Sequence, residues 1–62
     1  MKSDKNFENG EYAVYEGTKY KKLGIEYYIT NPPKYLGSHW LNENNVVCYF
    51  KNVMMKEIEN DK

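Results

Sequence analysis

The sequence predicts a small all-β barrel of about five short strands. Three observations lead there. Turn-forming residues recur at short intervals, at Asn9-Gly10, Glu16-Gly17, Gly24, Asn31-Pro32-Pro33, Gly37-Ser38 and Asn42 to Asn45. The segments between them are rich in Tyr, Val and Ile, which suit a pleated, half-buried surface. The chain has 62 residues, 40% hydrophobic and 16% aromatic, with a single Cys. That length holds one domain at most, and one Cys cannot staple it internally. Aromatic burial is therefore the main term available to offset the entropy of ordering the chain.

Taken in order, residues 1–9 are polar and expected to be flexible, as are residues 60–62. Residues 10–59 then form the single domain. Glu11-Tyr12-Ala13-Val14-Tyr15 is the first strand, with Gly on either side. Glu16-Gly17-Thr18-Lys19 makes a tight connection into Tyr20 to Leu23. Ile25-Glu26-Tyr27-Tyr28-Ile29-Thr30 is the clearest strand: alternation sets Ile25, Tyr27 and Ile29 on an inward face and Tyr28 outward. Pro32 and Pro33 stop it, because proline gives the ladder no donor. Gly37 to Leu41 is a shorter strand that pairs with Val46-Val47-Cys48-Tyr49-Phe50 across the Asn-rich turn. Both faces of the latter are apolar or aromatic, so a central place in the sheet is expected.

The tail reads two ways. Phe50, Val53, Met54 and Ile58 fit helical offsets, giving a short 3-10 or α-helical turn. Alternatively Lys51-Asn52-Val53 turns tightly into a strand from Met54 to Ile58. The strand is preferred, because so short a helix is marginal alone.

Charge excludes several classes. Nine Lys balance nine acidic residues, and neither half of the chain departs from neutrality. There is no Arg, the preferred fork for phosphate and guanine edges. A dedicated nucleic-acid binder is not expected. No apolar run reaches the ~18 residues that cross a bilayer, and no apolar signal-peptide core opens the chain. A cytoplasmic protein is the expectation. Abundant Lys, Asn, Tyr and Ile point to an AT-rich coding sequence, as in a low-GC bacterium or its phage.

Several short motifs resemble an SH3-type barrel. Ala13-Val14-Tyr15-Glu16 is similar to the first-strand Ala-Leu-Tyr-Asp signature, and Lys21 to Glu26 to the diverging turn. Tyr28-Ile29-Thr30-Asn31 resembles the strand that follows. Gly37-Ser38-His39-Trp40 resembles the stretch where the family often has two Trp, with His39 in place of the first. Tyr49 to Val53 falls at the closing turn and last strand. The resemblance spans residues 12–58 and implies a five-stranded SH3-like fold, not a function. The acidic loop after the first strand, and the Pro and Tyr near the last, are absent, which speaks against a polyproline groove.

Enzyme chemistry is poorly provided for. The chain has one His, one Cys and two Ser. Ser38 and His39 are neighbours, so their side chains diverge on a strand. Cys48, between Val47 and Tyr49, reads as a small buried hydrophobe. Structural zinc wants four Cys or His ligands, and Glu57, Glu59 and Asp61 lack the Gly-bearing loop that calcium needs. No catalytic residue, metal or cofactor is expected.

Binding is better supported. Seven Tyr exceed what a small core hides with every hydroxyl satisfied. An exposed aromatic cluster suits a protein partner, although long tyrosines can also simply sheathe a thin barrel. Tyr15, Tyr28, His39, Trp40 and Tyr49 are the candidate contact residues of a protein-binding module, of the kind an inhibitor or immunity-like factor would use. The alternative is a single-stranded nucleic-acid barrel using Lys19, Lys21, Lys22 and Lys34 among tyrosines. A homo-oligomer burying the same rings against itself is a further option.

Overall fold

The computed structural model describes residues 1–58. The expected flexible end at 60–62, and the carboxylates of Glu59 and Asp61, lie outside the described residues. The fold is small and all-β, in six strands: β1 (Lys2–Ser3), β2 (Tyr12–Tyr15), β3 (Thr18–Tyr28), β4 (Lys34–Leu41), β5 (Val47–Phe50) and β6 (Met54–Glu57). A 3-10 turn, Asp4–Asn6, follows β1. All pairs are antiparallel, in one sheet of order β1-β6-β2-β3-β4-β5. Among the described residues β1 and β5 do not pair, so the ladder does not close a barrel.

Local chemistry explains the connections. Tyr15 pairs with Thr18, leaving Glu16 and Gly17 as a two-residue hairpin turn, both with positive φ (52° and 81°). That conformation matches the twist of the flanking strands, and Gly17 adopts it without steric cost. Asn42 Oδ1 accepts the Asn44 and Val46 amides at 2.8 and 3.0 Å, fixing the β4–β5 turn. Asn52, at φ 57°, turns the chain into β6. The tail is thus the predicted turn and strand.

Four expectations are corrected. The break foreseen at Gly24 is a bulge: the register slips between Lys22 and Gly24, and β3 runs on for 11 residues. β5 is not central but an edge strand, because among the described residues it pairs only with β4, and its outer-face residues Val47 and Tyr49 are exposed. Ile25, Tyr27 and Ile29 are not buried, since the far half of β3 pairs only with β4 and extends beyond the core as an arm. The molecule is accordingly elongated, 39 × 22 × 21 Å.

The N-terminus supplies the fourth. Residues expected to be loose instead pack into the fold: Ser3 pairs with Met54, the Asp4 amide donates to Val53 O at 2.8 Å, and Phe7 is buried. The core is Phe7, Ala13, Trp40 and Met55, flanked by Tyr15, Tyr20, Phe50 and Val53. Its rings meet edge to face, Phe7 on Trp40 at 5.4 Å and both Tyr15 and Tyr20 on Phe50 at 5.2 and 5.0 Å. This geometry sets the positive edge of one ring against the negative face of the next.

Candidate functional site

Inside the sheet, the largest fully buried side chains include two charged ones. Lys22 is 1% exposed and Asp4 0%. Strand alternation puts Lys22 on the same face as Tyr20, opposite Trp40 on β4. Its ammonium donates to the carbonyls of Asp4 (2.6 Å), Phe7 (2.7 Å) and Lys5 (3.2 Å), the backbone of the 3-10 turn and its exit. It also lies 5.7 Å from the Trp40 ring centre. The Asp4 carboxylate points elsewhere. It accepts from Ser38 Oγ at 2.6 Å, from the Tyr35 hydroxyl, and from the Val53 amide at 2.7 Å. Trp40 Nε1 in turn donates to Ser38 Oγ at 2.8 Å. Each polar side chain of this network therefore has a partner, the condition under which burial is tolerated.

Ionisation follows from these contacts. Burial pushes the Asp4 carboxyl up, but hydrogen bonds from Ser38, Tyr35 and Val53 outweigh it and hold it below its ordinary 3.8. Burial pulls the Lys22 ammonium below its ordinary 10.5, against the attraction of Asp4 and Glu11. Burial and donation to Asp4 push the Tyr35 phenol up to about 12.

This network decides the fate of several predicted site residues. Trp40, a proposed contact residue, is 0% exposed and is the centre of the core. Lys22, a proposed phosphate contact, is sealed beneath the N-terminal turn. Tyr15 packs against Phe50 on the inner face. Trp40 and Lys22 offer no surface to a partner, and Tyr15 is half-buried. Lys34 starts β4 on the arm, whereas Lys19 and Lys21 lie over the Tyr12 ring at 4.8 and 5.9 Å. The four lysines do not form one basic face. The signal for Lys22 was its parity with Tyr20; nothing in the polar opening residues marked Asp4 as its counter-charge.

The remaining three candidates share the outer face. Tyr49 pairs across from His39, and His39 from Gly24, so one outward row crosses β5, β4 and β3. Alternation along β3 continues that face through Glu26 to Tyr28. The His39 and Tyr49 rings lie 4.7 Å apart, tilted by 55°. His39 Nε2 is 3.4 Å from Glu26 Oε2, but the angles do not make a hydrogen bond and the nitrogen is left without a partner. Tyr28 and Tyr49 are 60% and 67% exposed. Beyond Tyr28, at the arm's tip, Ile29 is 95% exposed. Ser38 and Cys48 face inward, opposite Phe50 and Trp40 respectively, so neither shares a face with His39. A further cleft, about 330 Å³, lies between Tyr12, Lys19, Lys21, Leu41 and Asn42.

Comparison with family models, curated proteins and solved structures gives no match for this chain. Among the described residues no helix is long and apolar enough to cross a membrane.

Proposed function

We propose that this chain is a small non-catalytic protein-binding module that presents the outer face of β3, β4 and β5 to a protein partner. The supporting observation is that Tyr28 and Tyr49 are exposed on this face, with half-buried His39 against Tyr49, while a separate set of rings around Trp40 fills the interior. Rings in solvent contribute little to folding but much to a desolvated interface, where Tyr gives rigid contact area at low entropic cost. At the tip of the arm, next to Tyr28, Ile29 adds an exposed apolar side chain. Size and composition favour a cytoplasmic inhibitor or immunity-like factor of a low-GC bacterium or phage.

The test is paired capture from the source cell. Wild-type protein retains a partner that the Tyr28→Ser/Tyr49→Ser variant loses, while both unfold at the same temperature. Retention of the same proteins by both, or of none by either, overturns the proposal.

A further inference from the structure

The Asn42 amide donates to Val46 O at 3.0 Å, so residues 46, 48 and 50 direct their backbone groups toward β4. By the alternation of an antiparallel ladder, Val47 and Tyr49 direct theirs to the open side, where no strand lies among the described residues. Free edges are ordinarily blunted by charge, proline, a bulge or extreme shortness. The opposite edge is so protected: β1 has two residues, and Lys2 is paired with Glu57 at 3.2 Å. β5 is not. Residues 44–50, Asn-Asn-Val-Val-Cys-Tyr-Phe, carry no charge and no proline.

We propose that β5 is a self-association edge, at which two copies of the chain pair antiparallel about a twofold axis with Cys48 opposite Cys48 of the second copy. In that register Val47 faces Tyr49 of the second copy. Both have outward backbone groups, so each exchanges its two bonds with the other, and the symmetry repeats the exchange. On the outer face the exposed Tyr49 ring covers Val47 of the second copy, a favourable aromatic–β-branched pair. Lys51 falls opposite Asn45, leaving the ladder uncharged; centring the axis on Tyr49 instead would set Lys51 against Val47. So short an interface lies at the low end of the size range, and the dimer is weak, with a dissociation constant between micromolar and millimolar. Pairing would join the two outer faces into one continuous surface.

Sedimentation of the purified protein tests this without any other partner, separately from the proposed function. The mass rises from 7.4 kDa toward twice that value between micromolar and millimolar concentration. Tyr49→Lys, at an exposed site, raises the dissociation constant at least ~10-fold by setting a charge in the ladder. Val47→Pro removes one outward donor and does the same. Diamide, which accepts the two electrons and two protons released when two thiols join, links wild type through Cys48 but leaves Cys48→Ser unlinked. A folded protein that stays monomeric throughout, or a Tyr49→Lys variant that dimerises like wild type, overturns the proposal. A dimer that diamide fails to link overturns the register.

Discussion

The N-terminal turn and the β3–β4 arm invert the usual distribution of side chains in opposite directions. Under the turn, a lysine and an aspartate are almost wholly buried; on the arm, Ile29 is almost wholly exposed. The difference lies in what surrounds each group. Lys22 has three carbonyls within reach, and Asp4 has donors from β4 and from the approach to β6. Charge is tolerated inside because the donors and acceptors are already in place. The arm pairs only β3 with β4; Tyr35 is still tied to Asp4, but nothing covers Ile29 at the tip. The first region ties its polar groups into the fold, and the second leaves Tyr28 and Ile29 in solvent.

Breaking the buried network has the largest expected effect. Asp4→Ala leaves the Lys22 charge uncompensated and strands the Tyr35, Ser38 and Val53 donors. Each buried donor left unsatisfied costs about 1–3 kcal/mol, so three together are comparable to the whole stability of a domain this small. Urea denaturation should find it largely unfolded, with the Asp4→Ala/Lys22→Met double variant recovering part of the loss. Trp40→Ala should cost about 3–5 kcal/mol through the cavity it leaves.

Protonation sharpens the same contrast. Because folding lowers the Asp4 pKa below 3.8, its contribution is present above that pH and is lost as pH falls through the folded value. The urea midpoint should drop in that acid window. Lys22 acts in the other direction: its lowered pKa opposes folding while it is charged, and that opposition fades as pH rises toward 10.5. Tyr35 stabilises below its ordinary 10.0, and the effect is lost as pH rises from there to about 12. Tyr35→Phe should flatten this alkaline limb. The smallest effects belong to the exposed aromatic face and the arm. Tyr49→Ala and Ile29→Ser should each change stability by less than about 0.5 kcal/mol in the same denaturation assay.

Part of the candidate site was legible in the sequence. The order of turns and strands was readable because turn chemistry is local: Glu16-Gly17 and the Asn42 loop lie where their conformational preferences place them. Tyr28 and Tyr49 could be named from the surplus of Tyr and from alternation, and His39 from its place beside Trp40. Trp40 and Tyr15 could not be separated from them, because a ring suits a core and an interface for the same reason.

By itself, the sequence determined an all-β chain and which neighbouring side chains point to the same side of each strand, since a strand's alternation is a property of the backbone. Tertiary structure alone decided which side is covered. It brought the first residues across the sheet to Lys22, left β5 at an edge, and let the arm outrun the core. Burial depends on groups distant in the chain, and no local pattern records whether they arrive.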